Sequence, residues 1–283
     1  MKIIELEFKE FSKVHSIFKK TLHLIFTIDA VLAGNSPGRI WVDQFKDPKS
    51  AFLWDKAHCY YFTGNPGNTN FNSAIKELFS ETIIPYAIAN HRDIYKIEYA
   101  SIEWEPILDE LLKKTPPIKS ARVFYGYKNQ KKPERSDIPL NDFIIQKIDK
   151  QLLNSTIKNV DSIIDEINQC WNSIDEFLTN GFGFCLIHKP TDEDTSVQGW
   201  CTGEYFSDSS CGIGIKTFKE YQGRGFATAM ASTFVEHCLS VNIRPHWDAS
   251  ASNQVSRRVA EKVGFEKIQN YTVLFGSFTK NDR

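Results

Sequence analysis

The chain is 283 residues long, 41% hydrophobic and 24% charged, with a formal net charge of −1 at pH 7. That length suits two domains, and 21 Phe, 10 Tyr and 6 Trp are ample for two cores in a globular chain. So balanced a charge gives no electrostatic pull towards nucleic acid or an anionic membrane, and it leaves the oligomeric state open.

In chain order, Met1 to Glu7 is broken by acids and does not read as a signal peptide. Phe8 to Ala33 is helical in pattern, with Phe11, Val14, His15, Phe18, Leu22 and Ile25 at three- and four-residue spacing. The apolar run Leu22 to Ala33 is too short to span a bilayer and contains Asp29. His15 and His23 read as packing or surface histidines. Three strands are expected at Arg39–Gln44, Ala51–Asp55 and Cys59–Thr63. After the turn Gly64-Asn65-Pro66-Gly67-Asn68 come a helix from Phe71 to Asn90, a strand Tyr95–Ala100, a short helix Pro106–Lys113 and a strand Ala121–Tyr127. Lys128 to Asp142 holds charge and two prolines with few apolar residues. Residues 128–150 are therefore expected to link a domain at 1–127 to one at 151–283, with Lys128, Lys131 and Lys132 solvated.

Two helices follow, Ser162–Trp171 and Ser173–Asn180, the second opened by Ser173-x-x-Glu176 and closed by Gly181. Ile163, Ile164, Ile167, Trp171 and Phe177 read as core. Then come strands Gly183–His188, Ser196–Tyr205 and Cys211–Thr217, helix Phe226–Ser240, strand Arg244–Ala249, helix Asn253–Val263 and strand Lys267–Phe278. The order of three strands, helix, strand, helix, strand matches the first half. A repeat and a coincidence common to α/β domains both explain it. The six cysteines show no Cys-x-x-Cys spacing, so no metal is expected, and the cytoplasm is the simplest location.

The chemistry gathers at Ile213 to Thr228. Ile213 and Ile215 alternate with Gly212 and Gly214, giving one apolar and one nearly bare strand face. Phe226, Met230, Phe234 and Cys238 then recur every four residues. Between strand and helix, Gly223 and Gly225 let the backbone turn so that successive N–H groups point one way at a helix N-terminus. Arg224 adds a full charge, and the combination suits a pyrophosphate. A Walker loop would need Gly-Lys-Ser/Thr, and a dinucleotide fingerprint would need glycine at Thr228.

Gln222-x-x-Gly225-x-Ala227 resembles the Gln/Arg-x-x-Gly-x-Gly/Ala signature of the GCN5-related N-acetyltransferases (GNAT). Asn253-x-x-Ser256-x-x-Val259 followed by Gly264-Phe265 is similar to their second signature. The runs Gly199-Trp200-Cys201, Gly212-Ile213-Gly214-Ile215 and Pro245-His246-Trp247-Asp248 resemble the subfamily of the zwittermicin A resistance acetyltransferase. The resemblance covers about Gly181 to Phe278. It implies an α/β (α+β) fold with a mixed twisted sheet flanked by helices for that half, and the repeated order of elements, where it is a true repeat, makes the first half a degenerate GNAT-like unit. The turn at Gly64 lacks the signature, and Pro66 removes an N–H donor, so that half is not expected to bind the cofactor.

What the resemblance implies for chemistry is acetyl transfer from acetyl-coenzyme A (acetyl-CoA) to an amine of a small molecule, and the subfamily resemblance points towards an aminopolyol antibiotic or similar amine. Gln222, Gly223, Arg224, Gly225, Phe226, Ala227 and Thr228 would hold the pyrophosphate, Ile215 and Thr217 the pantetheine, and Asn253 would face the cofactor. A tyrosine common in the family seven residues after that Asn is Ala260 here, so Ser256, through a water, is the candidate for protonating the leaving thiolate. Glu204 is the candidate base, although an ordinary strand-end carboxylate reads the same way. Glu220, Asp248 and His246 are weaker candidates. A CoA-binding regulatory protein without catalysis, or an enzyme acetylating a protein N-terminus, also fits the motifs.

Overall fold

The computed structural model describes residues 3–55, 59–128, 133, 142–191 and 194–279. Much of the expected linker, including Lys131, Lys132 and Pro139, lies outside them. In chain order the elements are β1 (Ile4–Glu5), α1 (His15–Phe18), α2 (Leu22–Leu32), β2 (Arg39–Val42), β3 (Ser50–Trp54), β4 (Cys59–Gly64), α3 (Thr69–Leu78), α4 (Ile84–Ala89), β5 (Ile94–Tyr99), α5 (Glu105–Leu111) and β6 (Ile118–Tyr127). There follow β7 (Phe143–Lys147), α6 (Lys150–Leu153), α7 (Asp161–Cys170), α8 (Ile174–Asn180), β8 (Gly183–His188), β9 (Ser196–Glu204), β10 (Ser210–Thr217), α9 (Phe226–Ser240), β11 (Arg244–Ser250), α10 (Gln254–Lys262) and β12 (Phe265–Ser277). The helix expected at Phe8–Ala33 is broken into a 3-10 segment, Phe8–Val14, and two α-helices. The helix expected at Phe71–Asn90 runs from α3 to α4 through a π turn at Phe79–Ile83. β7 lies within the stretch read as linker, and α6 starts at its last residue.

The chain forms two compact units. The first is Met1–Ala121 with Tyr271–Arg283; the second is Arg122–Asn270. These bounds differ from the expected division because β6 and β12 each run from one unit into the other. In unit 1, β2, β3 and β4 pair antiparallel in turn, β4 pairs parallel with β5, and β5 pairs antiparallel with β12. In unit 2, β7, β8, β9 and β10 pair antiparallel in turn, β10 pairs parallel with β11, and β11 pairs antiparallel with β6. Each unit is therefore a mixed sheet with helices inserted between its parallel strands. The place beside β5 that β6 would fill in a simple repeat is taken by β12, and β6 takes the matching place beside β11.

Burial explains why both exchanges hold. Leu274 and Phe278 belong to the unit 1 core with Phe52, Tyr60 and Tyr95, and Phe278 stacks on Tyr95 at 4.5 Å. Asp93 Oδ2 accepts from the hydroxyls of Ser277 and Thr279 at 2.7 and 2.6 Å, which clasps the end of β12. In unit 2, Val123, Tyr125 and Tyr127 of β6 join Trp247, Phe265 and the α9 stripe of Phe226, Met230, Phe234 and Cys238. A chain ended at Asn270 is therefore expected to lose hydrogen-exchange protection in β5 and β4, distant in sequence from the cut, while β8 to β10 keep theirs. Unchanged protection in β5 after the truncation would show that β12 does not complete that sheet.

Candidate active site

The site follows from how two parallel strands part. β10 and β11 pair only at their starts, Ser210 with Arg244, Cys211 with Pro245 and Gly212 with His246. Beyond Gly212, β10 stays paired with β9 as far as Thr217, and β11 stays paired with β6 as far as Ser250. The register fixes which backbone groups face the gap. The Phe218 N–H donates to the Gln198 carbonyl opposite it at 2.9 Å. Antiparallel pairs alternate, so Lys216 and Gly214 bond to β9, while Ile215 and Thr217 turn their N–H and C=O groups towards the gap. Thr217 also carries a buried hydroxyl without a hydrogen-bond partner. Unit 1 has no such gap: β4 and β5 stay paired from Cys59 to Phe62, and Ala100 N–H still donates to the Phe62 carbonyl.

At the far end of β10 the chain turns into α9. Gly223 and Gly225 have φ of 75° and 82°, in the left-handed region where glycine is at ease, and a side chain at Gly223 would meet nothing within 4 Å. Gly225 is the N-cap and provides no capping side chain, so the first-turn N–H groups of Phe226, Ala227 and Thr228 are left uncapped by it. Exposed Arg224 lies over the Tyr221 ring at 5.3 Å. Gln222 differs from its expected orientation towards an anion: its Nε2 donates to the Thr217 carbonyl at 2.9 Å and ties the turn to the strand end. α10 likewise starts beyond the end of β11. Its N-cap Asn253 accepts from the Ser256 N–H at 3.0 Å, and Ser256 Oγ accepts from Trp247 Nε1 at 3.0 Å. Gly264, at φ 101°, ends that helix before buried Phe265. Ala260 is fully buried.

The bare face of β10 is filled by carboxylates. Cys211 Sγ lies 3.9 Å from Cys238 Sγ of α9, so Cys211, Ile213 and Ile215 face that helix. Gly212, Gly214 and Lys216 face the other way, with Trp200, Thr202 and Glu204 beside them on β9. A Cβ at Gly214 would collide with Glu204 Oε1 and stand 2.9 Å from Glu166 Oε1 of α7. Glu204 and Glu166 are hydrogen-bonded. Burial first, then the adjacent Glu204 charge, hold the Glu166 carboxyl well above the usual carboxylate range, and Lys216 opposes them. Trp171 Nε1 donates to the Gly203 carbonyl at 3.0 Å and so anchors the end of α7 beside Glu204. Thr202 Oγ1 and Trp200 Nε1, both buried on this face, have no hydrogen-bond partner.

Glu166 is the residue that sequence reading missed. It lies three residues after Ile163 and four before Cys170, on the stripe read as core, and a carboxylate there was the available signal. Cys170 Sγ, one turn on from Glu166, lies within 4.8 Å of both carboxylates, a grouping that cysteine spacing cannot reveal. The weaker base candidates are engaged or withdrawn. Asp248 accepts from Arg122 Nε with both oxygens at 3.0 Å. Burial pushes the pKa of His246 down to about 3. Glu220 is exposed in the turn before the loop.

Comparison with known proteins shows the family of the chain. The family model described as GNAT acetyltransferase matches residues 15–274. The chain is similar to the uncharacterized N-acetyltransferase YdfB of Bacillus subtilis (strain 168), 24% identical over 271 residues, covering 96% of this chain and 97% of that one. Among solved structures it is similar to a GCN5-related N-acetyltransferase-like protein from Streptococcus suis 89/1591, with a TM-score of 0.66 and 20% identity over 95% of this chain and 98% of the other. It is also similar to a tandem GNAT protein from the clavulanic acid biosynthesis pathway, with a TM-score of 0.58 and 10% identity over 99% of each chain.

Gly214→Ala isolates the carboxylates from the fold. The atoms its Cβ displaces are the ends of two flexible side chains, so the variant is expected to fold with about 1 kcal/mol or less of lost stability in urea melts. A crystal structure of the variant should show the Glu204 carboxylate moved from Gly214. A loss of several kcal/mol, or an unmoved carboxylate, would contradict this packing.

Proposed function

We propose, for a chain that belongs to the GNAT acetyltransferase family, that the acceptor of its acetyl group is an amine of a small molecule and that Glu204 takes the proton from that amine. The chain is an acyltransferase of a family that uses acetyl-CoA, which supplies the thioester whose acetyl group passes to the amine. The observation that carries our reading is the open edge of β10. It leads from the uncapped start of α9, through the outward-facing groups of Thr217 and Ile215, to the carboxylates over Gly214. Three residue steps separate Thr217 from Gly214, ~10 Å at the rise of a strand.

The residues fit the cofactor on two counts: the Thr217 hydroxyl is buried without a partner, and the N–H groups of Phe226, Ala227 and Thr228 lack a side-chain cap. Phe226, Ala227 and Thr228 would bind the pyrophosphate, with Gly223 and Gly225 giving close approach and Arg224 adding charge. Ile215 and Thr217 would bond the pantetheine arm as a neighbouring strand would. Gln222 would act by holding the loop to the strand, and Asn253 by presenting the start of α10. Ser256 would orient a water near the departing sulfur. Unit 1, with β4 and β5 paired to their ends and α3 capped by Asn68, is read as a degenerate unit without a cofactor site.

An amine with a lysine-like pKa near ~10.4 is mostly protonated at neutral pH, so a base is needed before attack. The aminopolyol acceptor comes from the resemblance to the zwittermicin A resistance subfamily. Thr202 Oγ1 and Trp200 Nε1, buried and unpartnered on the same face of β9 as Glu204, support an acceptor that carries hydroxyls. No helix among the described residues is long and apolar enough to cross a membrane. The reading locates the enzyme in the cytoplasm, where its buried cysteines stay as free thiols.

Two substitutions test the two ends of this edge. Gly225→Asp puts a carboxylate at the loop. Its repulsion for a phosphate at ~4 Å, on the order of 4 kcal/mol, should weaken CoA binding by about 10²–10³-fold in calorimetry. Retained affinity would refute the loop assignment. With a panel of hydroxylated primary amines and thiol release as the readout, Glu204→Gln should lower turnover by about 10²–10⁴-fold with CoA affinity nearly unchanged, and higher pH should recover part of the loss. Turnover close to that of the native enzyme would remove Glu204 as the base.

A further inference from the structure

We propose that Glu166 is a positioning residue of the transfer reaction: it carries a proton at neutral pH, donates it in a hydrogen bond to Glu204, and thereby fixes the ionised Glu204 carboxylate over Gly214. The role in turnover rests on Glu204 being the acceptor base. The proton itself does not.

Geometry gives the first reason. Both carboxylates occupy the volume above one bare Cα, with Glu166 Oε1 2.9 Å from the point where a Gly214 Cβ would stand and Glu204 Oε1 closer still. Two like charges in such contact do not both ionise readily. The surroundings give the second. Cys201 of β9 and Cys211 of β10, the fully buried thiols nearest in the sheet, point to its other face, towards α9, and burial holds both in their neutral form, so neither brings a charge to the pair. His246 of β11 stands with Nε2 3.1 Å from where a Gly212 Cβ would be, and its imidazole is neutral. Cys170 of α7 lies beside the pair. Lys216 of β10 is the cation that acts on Glu166. One ammonium on one side matches one negative charge on the pair, and the pair with one proton carries that charge.

The arrangement has a use. Glu204 ends its strand, and Tyr205 follows it at φ 47°, a left-handed conformation that turns the chain away. A strand-end glutamate has free rotamers unless something holds it. Glu166 comes from the middle of α7, whose C-cap Trp171 is bonded to the carbonyl of Gly203, the residue before Glu204, so its O–H is a donor held on a helix tied to the strand of the base it positions. The hydrogen bond also favours the ionised form of Glu204 and leaves its second oxygen for the amine.

The proton has a consequence for stability that needs no acceptor. The folded chain holds it above the ordinary carboxylate range, while the unfolded chain releases it within that range. The stability it contributes is complete below that range and is lost as pH rises towards the raised value in the fold. Glu166→Gln keeps the shape and an N–H donor but cannot ionise.

The test is made on the full chain. Infrared difference spectra on exchange from H2O to D2O at neutral pH should show a protonated-carboxyl band that Glu166→Gln abolishes. Thermal melts from pH 5 to pH 9 should show the midpoint of Glu166→Gln gaining on the native chain as pH rises. In the amine panel, Glu166→Gln should keep neutral turnover within about tenfold of native, and its pH profile should lack the alkaline change that ionisation of Glu166 produces. Glu166→Leu, which cannot donate, should lower kcat at every pH with the KM for acetyl-CoA unchanged. The absence of the band in the native protein, its survival in Glu166→Gln, or parallel melting profiles would each overturn the proposal. The first of these requires no variant to fold. Because the infrared and melting results do not depend on turnover, they decide where the proton lies whatever becomes of Glu204 as the base.

Discussion

The parting of β10 from β11 after Gly212 and His246 is the constraint on which the rest of the site depends. A strand edge left unpaired is costly unless water or a ligand satisfies it. Here the edge is kept open by what pulls each strand away. β10 follows β9 residue for residue, and β11 follows β6, with Arg122 bonded to both oxygens of Asp248 across that pair. At the fork, His246 fills the space that a side chain at Gly212 would need. The glycines thus serve two purposes: Gly212 admits the imidazole at the fork, and Gly214 admits the carboxylates. Neither requires unusual backbone conformation; what each requires is the absence of a Cβ.

The two units share a strand order and differ at this fork. In unit 1 the parallel strands never separate, and the helix between them is closed by side chains. Asn65 Oδ1 accepts from the Gly67 N–H, and Asn68 Oδ1 accepts from the Phe71 N–H. The same scaffold thus appears once with its backbone donors satisfied and once with them exposed. Side-chain chemistry at a few turn positions, rather than fold, separates the two.

Much of this was legible in the sequence. From Gly183 to Ser277 the change from alternation to a four-residue period marks every element within a few residues, because each buries one face. Gly223 and Gly225 announced their left-handed turn. The exchange of β6 and β12 was not legible, since alternation shows that a segment is a strand and not which strand it joins. β7 was hidden because its burial is slight and charge and proline surround it. Glu166 was hidden for the opposite reason: its apolar neighbours Ile163 and Ile167 are so plainly core that the acid between them was passed over. The partner that gives Asp248 its structural role lies 126 residues away, beyond the reach of any local pattern.

The exchanged strands also set the order in which the molecule can be finished. Thr279 reaches back 186 residues to Asp93, and Leu274 pairs with Ile97. On the ribosome, where about 5–20 residues emerge each second, the first unit is synthesised early yet must wait for residues 271–279 before β5 gains its neighbour. During that interval β5 has an open edge beside a buried aromatic cluster, the kind of surface that recruits other chains. Of the two units, the one whose synthesis starts earlier is thus the later to close. Its yield should depend on how fast the rest of the chain follows.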